Sequence, residues 1–131
     1  MSTILIADDE QAIARFLALH LRRLKHEVIL AADGAQALML TMEHLPDLIV
    51  LDVDMPFRNG FDVLADLKAD PRTQHIPVIF CTALSAEGYE VQGLAQGADD
   101  YISKPFSLPI LVARIDAVLR RAAIVRELAA H

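Results

Sequence analysis

Three stretches of the chain, Ile4-Leu5-Ile6-Ala7, Leu48-Ile49-Val50-Leu51 and Val78-Ile79-Phe80-Cys81, are apolar at every position. A strand with one face in water alternates polar and apolar residues, whereas a strand covered by helices on both faces is apolar throughout. These runs therefore belong in the middle of a parallel sheet. Longer stretches of helical periodicity separate them, and the chain reads as five strand-helix repeats. The strands lie near 3–7, 27–31, 47–51, 77–82 and 99–102, and the helices near 10–24, 34–43, 60–69, 86–96 and 107–125. Punctuation agrees: Asp33-Gly34 opens the second helix, Pro46 and Pro77 precede the third and fourth strands, and Gly97 closes the fourth helix.

The ends of these strands carry the reactive side chains. Asp8 and Asp9 follow the first run, Asp52 the third, Thr82 the fourth and Lys104 the fifth. The second strand region is followed only by Ala31 and Ala32, so it contributes nothing reactive and belongs at an edge. In a doubly wound sheet of order 2-1-3-4-5 the first and third strands are neighbours at the switch point, where ligands bind outside the carboxyl ends. That order, with helices on both faces, brings Asp8 and Asp9 beside Asp52.

At 131 residues the chain fits one domain, which buries roughly two thirds of its unfolded surface. Twelve Lys and Arg against eighteen Asp and Glu give a formal charge of -6, which speaks against nucleic acid or an anionic membrane as a direct partner. The single cysteine, Cys81, cannot form an internal disulfide, and the N-terminus lacks a signal-peptide pattern; both fit the cytoplasm. No apolar stretch is long enough to span a bilayer.

Two adjacent carboxylates at a strand end, Asp8 and Asp9, can hold a hard cation that prefers oxygen ligands, of which Mg²⁺ is the natural choice. The competing reading makes Asp9 a simple helix cap. Asp52 projects into the same crevice, where a carboxylate can attack phosphorus and form an acyl phosphate; otherwise it is a turn acid before Met55-Pro56. Asp54 can offer its backbone carbonyl to the cation. The Thr82 hydroxyl can bond an incoming phosphoryl oxygen, and the small Ala83 leaves room for it. Lys104 can neutralise a phosphoryl oxygen or pair with Asp52 when the site is empty. Taken singly each residue has an ordinary explanation, but those explanations do not place all of them in one crevice.

From Ile4 to about Arg121 the chain resembles the receiver domain of two-component response regulators, which has the flavodoxin-like fold. The resemblance rests on Asp8-Asp9-Glu10, on Leu51-Asp52-Val53-Asp54-Met55-Pro56 with Gly60, on Thr82-Ala83, and on Gly97-Ala98-Asp99-Asp100-Tyr101-Ile102-Ser103-Lys104-Pro105-Phe106. It implies that Asp52 accepts a phosphoryl group from a sensor histidine kinase or phosphotransfer protein, with Asp9, Asp52 and the Asp54 carbonyl on Mg²⁺ and Asp8 acting largely through water. It also implies that Thr82 and Tyr101 form a switch pair. Thr82 moves toward the phosphoryl group, Tyr101 turns inward, and a partner or fused output domain reads the surface of the fourth helix, fifth strand and fifth helix. Such a domain catalyses only its own phosphorylation and dephosphorylation. Asp54 stands where the family often has methionine. Glu90 and Ile110 stand where the winged-helix branch carries a basic and an acidic residue on its dimer face, which leaves a monomer and a phosphorylation-dependent dimer both open.

The alternative function is a haloacid-dehalogenase-like phosphatase that uses Asp52 and Asp54 as an Asp-x-Asp pair, although such enzymes place that pair on the first strand. Beyond the domain at 1–121, residues 122–131 extend the last helix or begin a linker. Leu111, Ile115, Val118, Ala122, Val125 and Ala129 recur at alternating spacings of four and three, the pattern of a coiled-coil seam. The competing reading has the first half of that seam packing on the sheet and Arg121 onward as a frayed tail or linker.

Overall fold

The computed structural model describes residues 2–83 and 87–130. Its sheet is parallel throughout and has the expected order, β2-β1-β3-β4-β5. The strands are β1 (Thr3–Ala7), β2 (Glu27–Ala31), β3 (Leu48–Leu51), β4 (Val78–Thr82) and β5 (Asp100–Ser103). The helices are α1 (Gln11–Arg23), α2 (Gly34–His44), α3 (Gly60–Ala69), α4 (Glu87–Ala95) and α5 (Leu108–Ala129). Ala86, the expected first residue of the fourth helix, lies outside the described residues.

Because successive strand residues point to opposite faces, the all-apolar strands feed two separate cores. Ile4, Ile6, Leu48, Val50, Ile79 and Cys81 meet α1 and α5 through Leu17, Leu21, Leu111 and Ile115. Leu5, Ala7, Ile49, Leu51, Val78 and Phe80 face the opposite side, where Ala37 of α2 and Phe61, Leu64 and Leu67 of α3 cover them. Burying an aliphatic or aromatic side chain of this size stabilises a fold by roughly 1.5–3 kcal/mol.

Local signals set the helix ends. Asp33 and Asn59 accept the backbone N–H groups of Gln36 (2.8 Å) and Asp62 (2.9 Å), satisfying donors that have no partner inside the helix. Gly97 takes φ +106°, and the Ala98 N–H then returns to the Gly93 carbonyl at 3.1 Å. The fifth strand starts one residue later than the sequence pattern suggests, since Asp99 uses its carboxylate to accept the Val78 N–H at 3.0 Å. In α5 the first half of the apolar seam, Leu111, Ile115 and Val118, is buried against the sheet, as the packing alternative had it, but from Arg121 the chain stays helical instead of fraying. The helix itself continues to Ala129, four residues past the expected end. Val125 is exposed there, and Arg126 sits 3.6 Å from Asp47.

Candidate functional site

Parallel register delivers the acids to one place. Ala7 pairs with Leu51, so the next residues, Asp8 and Asp52, emerge side by side; the Asp52 N–H donates to the Ala7 carbonyl at 2.9 Å. Thr82 pairs with Ser103, and the Lys104 N–H donates to the Thr82 carbonyl at 2.8 Å. The Lys104-Pro105 bond is cis.

The Lys104 ammonium is the hub. Its Nζ donates to Asp8 Oδ2 at 2.7 Å, to Glu10 Oε1 at 2.9 Å and to Asp52 Oδ2 at 3.1 Å. Asp8, Asp52 and the Lys104 side chain are each less than a tenth exposed. The other oxygen of each buried acid meets the backbone. Asp8 Oδ1 accepts the Glu10 N–H at 2.8 Å and Asp52 Oδ1 the Asp54 N–H at 3.1 Å. Buried charges persist when paired and hydrogen-bonded in this way.

Burial pushes the Asp8 carboxyl above the ordinary carboxylate range, the Lys104 and Glu10 N–H hydrogen bonds pull it back, and the nearby Asp52 charge raises it further. For Lys104 burial works to lower the ammonium, but the hydrogen bonds to Asp8, Glu10 and Asp52 outweigh it and hold the group well above the usual lysine range. Burial pushes the Cys81 thiol up to about 12, which makes it a poor nucleophile.

Above this hub, Asp9, Glu10, Asp52, Asp54, Thr82 and Ala83 line a cleft of about 250 Å³. Five of the residues expected at the site, Asp9, Asp52, Asp54, Thr82 and Ala83, thus share one wall, with Asp8 and Lys104 joined to Asp52 beneath. Asp9 does not cap α1: the cap position is Glu10, and its side chain makes no capping hydrogen bond. Glu10 is the residue that the sequence reading left out of the site. Among the described residues, the carboxylates that gather as possible metal ligands are Asp8, Glu10 and Asp52, with ligand atoms within 4.8 Å of one another. Three anionic oxygens at that spacing fit a hard divalent cation.

Tyr101 lies apart from the cleft, on the α3 and α4 side of β5. The residue is 5% exposed, and its ring packs on Phe80 with centroids 5.9 Å apart. Burial, followed by the charges of Glu90 and Asp52, raises its phenol above the ordinary value.

Carboxylates from β1 and β3 joined by a lysine from β5, on a sheet of this order, define a phosphorylation-activated signalling switch. The response regulator receiver domain family matches residues 4–116, and the chain belongs to it. It is 43% identical over 125 residues to the response regulator PleD of Caulobacter vibrioides, covering 95% of this chain and 28% of that protein. It is 45% identical over 119 residues to the phosphate regulon transcriptional regulatory protein PhoB of Pseudomonas aeruginosa, covering 91% of this chain and 52% of that one. The chain thus spans about half or less of the length of these curated relatives. Among solved structures, the receiver domain of Francisella response regulator 1452 superposes with a TM-score of 0.86 at 33% identity, covering 92% of this chain and 98% of that one. A CheY-like receiver domain from Methanospirillum hungatei gives 0.88 at 26% identity, covering 94% and 97%. The phosphatase alternative finds no support in these relationships. No helix among the described residues is long and apolar enough to cross a membrane.

Proposed function

We propose that Asp52 is the phosphoacceptor, taking a phosphoryl group from a phosphohistidine of a sensor histidine kinase or phosphotransfer protein. A carboxylate oxygen of Asp52 attacks phosphorus, the P–N bond breaks, and the imidazole nitrogen keeps the bonding pair. The observation that carries this reading is the triple contact of Lys104 with Asp8, Glu10 and Asp52. It supports a site that holds its acceptor acid ready beside a movable positive charge. When the phosphoryl group arrives, Lys104 transfers from the Asp52 oxygen to a phosphoryl oxygen. The Thr82 hydroxyl on the cleft wall bonds another, and the small side chain of Ala83 keeps the entrance open.

Mg²⁺ is the cofactor this donor set suits. Asp8, Asp9, Glu10 and Asp52 would hold it, with the Asp54 backbone carbonyl and water completing the shell. When bound, the cation offsets charge on the phosphoryl oxygens. Thr82 and Tyr101 form the switch pair, and the altered surface of α4, β5 and α5 acts on a downstream protein or a fused output domain, either as a monomer or through phosphorylation-dependent dimerisation. The chain catalyses only its own phosphorylation and dephosphorylation. It works in the cytoplasm, with residues 1–121 as the receiver and 122–131 as an extension of the last helix or the start of a linker. The test is incubation with acetyl phosphate and Mg²⁺ followed by intact mass measurement. One labile adduct is expected on the native chain and none on Asp52→Ala, and equal yields on both would overturn the assignment.

A further inference from the structure

A Cβ built on Gly93 would lie 2.9 Å from Phe80 Cδ2, 3.0 Å from Phe80 Cε2 and 3.3 Å from Tyr101 Cδ2. The first separation is one that packed side chains do not tolerate, and the other two require the neighbouring ring to give by a few tenths of an ångström. α4 therefore sits on β4 and β5 as closely as it does because residue 93 has no side chain. We infer that Gly93 is a positioning residue of the switch: its bare Cα leaves the space beneath α4 that the Tyr101 ring fills, and a methyl group there drives the ring out. This rests on the reading of Tyr101 as a switch residue.

What yields to an added methyl decides the effect. Phe80 is completely buried, on a strand paired on both sides, with Phe61 packed edge-on against it at 5.4 Å. The ring it presses upon when pushed is that of Tyr101, 5.9 Å away. The C-terminal end of α4 is held as well, by the Gln96 side-chain amide donating to the Phe61 carbonyl at 3.4 Å. Tyr101 stands on β5, the edge strand, and the residue as a whole is 5% exposed. The ring of Tyr101 is thus the group with an exit. Rotamers of aromatic side chains exchange between discrete wells rather than shifting gradually, so the expected response is a change of ring position.

The chain has no tryptophan and two tyrosines, which makes the ring observable. In a Tyr89→Phe background Tyr101 is the sole tyrosine, and acrylamide quenching of its emission reports its exposure. With Gly93 present, quenching should be weak. Adding Gly93→Ala should raise it several-fold, and adding Phe80→Leu to that pair should restore the protection by clearing the space. Beryllofluoride with Mg²⁺, an acyl phosphate mimic, should change quenching in the Gly93 protein and lose that effect in Gly93→Ala. Unchanged protection in Gly93→Ala, with only a lower melting temperature, would overturn the proposal by reducing Gly93 to ordinary packing. If Gly93→Ala does not fold, Phe80→Leu must recover both folding and protection, and folding without protection overturns it equally. A Tyr101 that answers Gly93→Ala but never beryllofluoride would bring down the switch reading and the proposal together, whereas the first failure brings down the proposal alone.

Discussion

Asp8 and Asp52, forty-four positions apart, share one ammonium. In each, Oδ2 accepts from Lys104 Nζ, at 2.7 and 3.1 Å, and Oδ1 accepts from the backbone N–H two residues further on. The two strand ends are built alike, so each acid is oriented by its own turn and neutralised by a lysine from a third strand.

Removing the lysine therefore leaves two buried carboxylates facing one another. Lys104→Met should lower stability at neutral pH by about 3 kcal/mol, the usual cost of stranding a buried charge. The deficit should shrink on acidification. With the lysine gone, the burial that raises the Asp8 carboxyl is no longer offset by that hydrogen bond, so the folded state binds more protons than the unfolded chain and gains stability as pH falls. Urea denaturation at pH 7 and pH 5 checks both parts, and an unaltered midpoint at pH 7 would contradict the account.

A divalent cation held by Asp8, Glu10 and Asp52 would compete with Lys104 for their oxygens. Mg²⁺ at a hundredfold excess over its dissociation constant should stabilise the fold by about 2.7 kcal/mol, since it binds only the assembled site. A chelator should reverse the gain, and Asp8→Asn should abolish most of it. The check is a calorimetric melt of both proteins with and without the ion.

The turn after Asp52 leaves no room for a side chain at its far end. A Cβ on Gly60 would lie 2.5 Å from the Asp52 carbonyl oxygen and 2.8 Å from Val53 Cα, and backbone atoms cannot step aside as a side-chain tip can. Gly60→Ala should cost about 1–3 kcal/mol through overpacking. It should also slow adduct formation at Asp52 by moving its backbone, which the time course of acetyl phosphate labelling will show.

Alkaline pH should act through Cys81. Its thiol is ordinarily near 9 and is pushed up to about 12 by burial, so between those values the folded state holds a proton that the unfolded chain has released. Stability then falls with rising pH, by about 1.4 kcal/mol per pH unit at most. Cys81→Ala should be less stable at pH 8 because of the cavity, yet lose less between pH 9 and pH 10 than the native chain. Parallel slopes in denaturant titrations across that window would contradict the assignment.

The sheet order and four of the strand ends could be read from the chain because burial on both faces leaves no polar residue inside a central strand. Asp8, Asp52, Thr82 and Lys104 then follow from register alone. Glu10 could not be found that way. It lies beyond the strand at the start of α1, and only a contact spanning ninety-four positions brings its carboxylate to Lys104. The close approach of Gly93 to Phe80 is hidden for a similar reason: helical periodicity marks the buried face of α4 but not how near that face lies to the sheet. The last turn of α5, Arg126 to Ala129, lies past the expected end at 125 because it has little burial to mark it, and the helix is continued there by the local propensity of Arg126, Glu127, Leu128 and Ala129.

The assignment of Asp52 is tested most directly by trapping the acyl phosphate. After labelling with acetyl phosphate and Mg²⁺, borohydride reduction converts a phosphorylated aspartate to homoserine, which peptide mass spectrometry locates by position. The account predicts homoserine at position 52 and at no other aspartate. Homoserine at position 8, 9 or 54, with Asp52 intact, would contradict it.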